Sequence, residues 1–270
     1  MLPLGCRPRP VQLRIACSAD MLPVVSALGY EFRDNFGVLV AATIVDSDDF
    51  AVEDVPNFDF ILTDDLDLVA QLLDNGMISR TTDFACALPT LALRRSDNLP
   101  VLKLADLTTI DRPLRMTIAS PGATLPQIVA MRFEQAGIPL QGDGTNRYSD
   151  QTMIQVLPFL VKEIRSDRTH RFTTPEMTLQ QLADGKTDMV VFWDFAAADA
   201  IAKYDDADAF VTVTWPSESS DTITIPLGLV KDCTHLACCE AFMDFVKSRR
   251  GTELIQSCFL HSSDDLVGTR

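Results

Sequence analysis

Residues 11–37 read VQLRIACSADMLPVVSALGYEFRDNFG, and this stretch sets the fold class. Leu13-Arg14-Ile15-Ala16-Cys17 is a short, mostly apolar run rich in strand formers, the pattern of a buried strand. Ser18-Ala19-Asp20 breaks the run with small polar residues able to cap a helix. From Met21 the apolar residues return at helical spacing, so that Met21, Val24, Val25, Leu28 and Phe32 share one face. Asn35 and Gly37 end the helix. A strand that passes into a helix through a polar turn sets the helix's unpaired N–H groups at the strand's carboxyl end. Anions and small polar ligands bind in that geometry.

The same succession recurs three times downstream. The spacing predicts a strand at 58–62, ending at Thr63-Asp64-Asp65, then a helix at 66–75 with Leu68, Leu72 and Leu73 inward. A strand at 114–119 ends in Ser120-Pro121-Gly122-Ala123-Thr124 ahead of a helix at 125–136. A strand at 188–192 meets Trp193-Asp194 and an Ala-rich helix at 195–203. Residues 38–45, 84–93, 210–213 and 223–230 read as further strands, 178–185 and 104–107 as short helices, and 236–249 and 252–258 as closing helices. Residues 141–150 read as a loop and 151–164 as a helix bent at Pro158. Alternating strands and helices imply an α/β protein with largely parallel sheets. No fixed-period repeat points to a solenoid.

The formal net charge of −15 argues against nucleic acid and anionic membrane surfaces as partners. The charge is uneven: Asp46, Asp48, Asp49, Glu53, Asp54, Asp59, Asp64, Asp65, Asp67 and Asp74 fall between Arg33 and Arg80, a span with no Lys or Arg. It reads as a solvated acidic surface, with a cation-binding surface as the alternative. No apolar run approaches the length of a membrane span. Leu4-Gly5-Cys6, followed by Arg7-Pro8-Arg9-Pro10, resembles the end of a bacterial lipoprotein signal and makes Cys6 the candidate for lipidation.

An enzyme reading finds no catalytic set. There is no Gly-x-Ser-x-Gly, Walker loop or dinucleotide fingerprint, and His170, His235 and His261 lie outside the four turns. Cys233, His235, Cys238 and Cys239 form the only Cys/His cluster, and Cys238 and Cys239 diverge on a helix. A core or disulfide role is therefore expected there rather than a metal site. Neither a cofactor nor a metal is expected.

Four stretches, taken in order, resemble the type II periplasmic solute-binding proteins, most closely the molybdate-binding branch. They are Arg14-Ile15-Ala16-Cys17-Ser18-Ala19-Asp20 with its helix to Gly37, Phe58-Asp59-Phe60-Ile61-Leu62-Thr63-Asp64, LQQLADGKTDMVVFWDFAA at 179–197, and residues 223–260. The resemblance implies two α/β lobes, each a mostly parallel sheet flanked by helices, with the ligand cleft between them. Lobe one would combine 11–92 with 220–262, lobe two would hold 93–219, and 1–10 would be a linker. Such a protein is a monomer outside the cytoplasm, in the periplasm or cell envelope, held to the membrane by a lipid at Cys6. It hands its solute to the permease of an ABC transporter.

Carried onto this chain, the resemblance assigns ligand contacts to Ser18 and Asp20, Thr63 and Asp64, Ser120 and Thr124, and Phe192, Trp193 and Asp194. The family's first-turn Ser falls nearest Asp20, and its strand-end Tyr falls at Phe192. The implied ligand is a small oxyanion such as molybdate or tungstate. A carboxylate about 4 Å from an anionic oxygen costs about 4 kcal/mol at an effective dielectric of 20. Asp20, Asp64 and Asp194 therefore either cap their own helices or face a cationic, amine-bearing or neutral polar ligand. Trp193 either lines the cleft or buries itself between the lobes. A ligand-sensing regulatory module of the same fold is the second function class.

Overall fold

A computed structural model describes residues 10–45, 50–99, 101, 104–110, 114–119, 124–136, 138, 145–148, 152–156, 174–214 and 222–258. Cys6, Ser120 and residues 157–164 lie outside the described residues. The strands, numbered in chain order, form two mixed sheets. In the first, β2 (Leu39–Ile44), β1 (Gln12–Cys17), β3 (Phe60–Leu62), β11 (Ile223–Val230) and β4 (Ile78–Ala87) lie side by side in that order. β1 runs parallel to both β2 and β3, while β11 is antiparallel to β3 and β4. The second sheet has the order β10 (Phe210–Thr214), β5 (Pro89–Arg94), β9 (Met189–Trp193), β6 (Leu114–Ile118), β8 (Thr152–Val156) and β7 (Thr145–Tyr148).

The chain passes from the first sheet to the second at Leu88, the single residue between β4 and β5, and returns between β10 and β11. Two sheets joined by two crossovers make the two-lobed α/β fold that the resemblance implies. Around them lie α1 (Leu22–Phe36), α2 (Leu66–Asp74), α3 (Thr124–Gln135), α4 (Pro175–Ala183), α5 (Asp194–Ala202), α6 (Leu236–Lys247) and α7 (Arg249–Ser257).

The opening stretch folds as its pattern dictates. Met21, Val24, Val25, Leu28 and Phe32 are all buried, and Phe32 packs edge-on against Phe242 of α6 at 5.1 Å between ring centroids. Gly37 closes α1 in the left-handed region at φ 69°, and its N–H donates to the Arg33 carbonyl. Elsewhere the pattern misleads. The segment read as one strand at 84–93 is two, β4 beginning at Ile78 and β5 at Pro89. The loop and helix expected over 141–164 begin instead with the antiparallel pair β7 and β8. TMIQV at 152–156 is a strand-forming sequence, and it adds to the parallel ladder of β6. Leu73 is exposed while Val69 is buried, because α2 turns Val69 and Leu72 to the sheet. The two closing helices expected meet at Ser248, whose side chain caps α7 through the Gly251 N–H. Pro226 is tolerated in an interior strand because the β11–β4 register shifts between Ile225 and Pro226.

Both lobes fix their parallel strands by one device. Asp59, just before β3, accepts from the Arg14 N–H of neighbouring β1 at 2.8 Å, and its own N–H donates to the Arg14 carbonyl. Asp188, just before β9, repeats both bonds with Arg115 of β6, and the Arg115 guanidinium adds a contact at 3.1 Å. Both carboxylates are buried, so each charge-assisted bond sets where a strand ends and hence where its turn sits. Asp59→Ala and Asp188→Ala are each expected to cost about 2–3 kcal/mol, about 4–10 °C in melting temperature. Arg80→Ala, which removes an exposed pair with Glu240, is expected to cost less than about 1 kcal/mol. Equal losses in calorimetry for all three would contradict this assignment.

Candidate functional site

Register brings the first two turns together. Cys17 lies opposite Leu62, so Ser18 and Thr63 leave adjacent strands at the same edge. After Ser18 the chain makes a tight 3-10 turn, Ala19–Met21, before α1. Neither Ser18 nor Asp20 is spent on capping it. The Ser18 side chain makes no cap bond, and Ser18 Oγ and Asp20 Oδ1 are buried without hydrogen-bond partners. Ser18 is only 3% exposed. Burial, with Asp64 nearby, pushes the Asp20 carboxyl up to about 7. The Ser18 hydroxyl beside it and the N–H groups of Asp20 and Met21 pull more weakly the other way. Burial and the adjacent Asp20 likewise push the Cys17 thiol up to about 12, which leaves it an inert core thiol.

The second turn is saturated from within. Thr63 Oγ1 accepts from the Asp65 N–H at 3.1 Å, and Asp65 Oδ1 caps α2 through the Leu68 N–H at 3.0 Å. The Leu66 N–H donates across to Thr124 Oγ1 at the start of α3, at 3.0 Å. Three donors that an anion would seek at this helix N-terminus therefore already have acceptors. Asp65, next to Asp64, is the residue that caps α2. Asp64, 1% exposed, reaches the other lobe, where its Oδ2 accepts from the Trp193 indole N–H at 2.5 Å. Further out, the Gln127 amide donates to Asp67 Oδ2 at 2.9 Å.

The turn after β9 serves the crossover. Asp194 Oδ1 accepts from the Phe195 N–H at 3.0 Å and from the Leu88 N–H at 3.1 Å, and the Asp194 N–H returns a bond to the Leu88 carbonyl. Asp194, the first residue of α5, is thus a clasp on the residue that joins the sheets. Trp193 is fully buried between the lobes, its ring in the core and its N–H on Asp64. Phe192, which the resemblance assigned to the ligand, points to the other face of its strand and packs with Leu179, Leu182 and Phe210.

Of the residues anticipated, the structure gathers Ser18, Asp20, Thr63, Asp64, Thr124 and Trp193 along one seam and sets Asp194 at the crossover. Phe192 sits in the core. Reading the sequence missed Asp65 as the cap of α2, although Thr63-Asp64-Asp65 ahead of an apolar helix carries that signal. It also missed the break at Leu88, which Pro89 marks inside the run read as one strand. Among the described residues no cluster of three or more His, Cys, Asp or Glu side chains is placed to hold a metal. Cys233, Cys238 and Cys239 are free thiols. No helix among the described residues is long and apolar enough to cross a membrane.

Solved structures share this arrangement. The periplasmic molybdate-binding protein of Azotobacter vinelandii is 14% identical, with a TM-score of 0.63 over 92% of this chain and 98% of its own. The sulfate-binding protein SubI of Mycobacterium tuberculosis is 17% identical, with a TM-score of 0.64 over 95% and 88%. Iron-bound HitA of Pseudomonas aeruginosa is 15% identical, with a TM-score of 0.64 over 92% and 84%. At such identities the likeness is one of fold. No curated protein matches the chain by sequence. The family model described as bacterial extracellular solute-binding protein matches residues 13–258, nearly all of the two sheets and their helices. With the two lobes, the crossover clasp and the polar seam between them, that match makes the chain a member of the bacterial extracellular solute-binding protein family.

Proposed function

We propose that this protein is the solute receptor of an ABC importer, closing its two lobes on a small polar solute and presenting it to the permease. The observation that carries the reading is the pair Ser18 Oγ and Asp20 Oδ1, buried without partners at the seam where Asp64 takes the Trp193 N–H. A protein does not ordinarily bury polar atoms without partners, and a site awaiting a ligand is one place where it does. The lobes divide at Leu88 and again between β10 and β11, with Asp194 as the clasp at the hinge. The receptor acts as an exported monomer, anchored through a lipid on Cys6.

A second reading keeps the oxyanion. The N-termini of α2 and α3 meet at the seam through Leu66 and Thr124, and helix N-termini favour negative charge. Molybdate or tungstate would then have to take the Leu66 and Leu68 N–H groups from Thr124 and Asp65. It would also sit near two carboxyl groups, Asp20 and Asp64.

Closure through the indole bond has a direct test. A hydrogen bond to a charged acceptor contributes about 1.5–3 kcal/mol, about a tenfold to hundredfold bias toward the closed form. Small-angle scattering of Trp193→Phe should show a larger radius of gyration than the wild type, while Gln127→Ala, which removes an outer bond, should change little. An unchanged profile for Trp193→Phe would count against closure across this seam.

The carboxyl at Asp20 also gives the fold a signature in pH. Its folded pKa lies near 7 against about 3.8 in the unfolded chain, so between these values the folded state holds a proton that the unfolded state has lost. Stability should therefore fall as pH rises from about 4 to about 7, by up to about 1.4 kcal/mol per unit, and level off above. Because Asp20 and Asp64 interact, the proton belongs to the pair. Chemical denaturation of Asp20→Asn should lose most of that slope and be more stable than the wild type at pH 8. A wild-type stability that rises over this range would contradict the burial assigned to Asp20.

A further inference from the structure

The chemistry left open at the seam narrows the solute, on the receptor reading proposed above. We infer that the cleft takes a solute bearing an organic ammonium group, seated with its N–H donors on Ser18 Oγ and Asp20 Oδ1 beside the Asp64 carboxylate.

Three observations carry this. First, what the site lacks is donors. An unpartnered carboxylate oxygen can only accept, and a hydroxyl can accept as well as donate, so the two atoms together call for N–H or O–H groups. Second, four backbone donors at the described turns after β3 and β9 are occupied. Asp65 N–H goes to Thr63, Leu66 N–H to Thr124, Leu68 N–H to Asp65 and Phe195 N–H to Asp194. Third, the charged group acting on Asp20 among the described residues is another carboxylate, Asp64. A ligand that supplies positive charge removes the repulsion that now raises the cost of ionising the pair. An oxyanion would add to it.

The choice of ammonium over a bare metal ion follows from counting ligands. Calcium takes six to eight oxygens and magnesium an octahedral set, whereas no group of three or more metal-ligating side chains is assembled among the described residues. An ammonium carries only donors, and Ser18 Oγ and Asp20 Oδ1 can take two of them. Both turns come from one lobe, so the ammonium docks on the first lobe, and the second closes over it through Trp193.

The test is isothermal calorimetry and thermal shift on the full chain at pH 8, with methylammonium, ethanolamine and putrescine as one set. Molybdate, sulfate and phosphate form the second set, and calcium and magnesium the third. At least one ammonium probe should bind and raise the melting temperature. Asp20→Asn should weaken that probe at least about thirtyfold, and Ser18→Ala about threefold to tenfold. Both variants should stay folded, since Asp20→Asn keeps an oxygen to accept from the Asp20 and Met21 N–H groups and the Ser18 side chain makes no cap bond. A response to oxyanions alone, or to metal ions alone, overturns the ammonium assignment and leaves the receptor intact. Ammonium binding unaffected by Asp20→Asn overturns the assigned seat. Silence from every probe overturns the inference, and if Trp193→Phe also leaves the scattering profile unchanged, the receptor reading falls with it.

Discussion

The hydrogen bond from the Trp193 indole to the Asp64 carboxylate joins the end of β9 in one lobe to the end of β3 in the other. Everything at the seam is arranged around it. The bond needs β3 and β9 to end at fixed points, which Asp59 and Asp188 secure by gripping Arg14 and Arg115 in the neighbouring strands. It needs Asp64 released from capping duty, which Asp65 takes over. It needs the lobes held in reach of each other, which Asp194 supplies by clasping Leu88 at the crossover. The carboxylate so placed lies close enough to Asp20 to raise its pKa. One interaction thus links strand register, lobe closure and the electrostatics of the site.

The acidic composition acquires a local meaning in this frame. Three carboxylates of the Lys- and Arg-free span between Arg33 and Arg80 have ordinary structural work: Asp59 in strand pairing, Asp65 in capping, Asp67 in an outer contact with Gln127. Asp20, just outside that span, and Asp64, within it, are the ones drawn into the seam. The fold's relatives include proteins that bind molybdate, sulfate and iron. Such breadth is what a scaffold of strand-end turns permits, since a few side chains at those turns decide the sign of the ligand.

The fold was legible where periodicity and turn chemistry agree. Residues 11–37 could be read as strand, polar turn and helix, and every residue assigned to the inner face of α1 is buried. Legibility failed where tertiary pairing decides. TMIQV in isolation suits a strand or part of a helix, and the open edge of β6 settles it. The division of 84–93 at Leu88 has a local mark in Pro89, but the crossover it makes is fixed by bonds to Asp194, far along the chain. The site was half visible for the same reason. Strand ends nominate Ser18, Asp20, Thr63, Asp64 and Trp193, but which Asp caps and which faces the cleft is a matter of one residue's rotation on a helix start. Phe192 and Trp193 are adjacent, and strand alternation sends one to the core and the other to the seam.

The account turns on whether the atoms left without partners at Ser18 and Asp20 are the seat of a donor. A high-resolution crystal structure of the protein isolated from its own cell envelope, with no ligand added, addresses that most directly. The account predicts a bound solute whose nitrogen lies within hydrogen-bond distance of Ser18 Oγ and Asp20 Oδ1, with Trp193 still on Asp64. Density for an oxyanion on the N–H groups of Leu66 and Leu68, with Thr124 and Asp65 displaced, would contradict it.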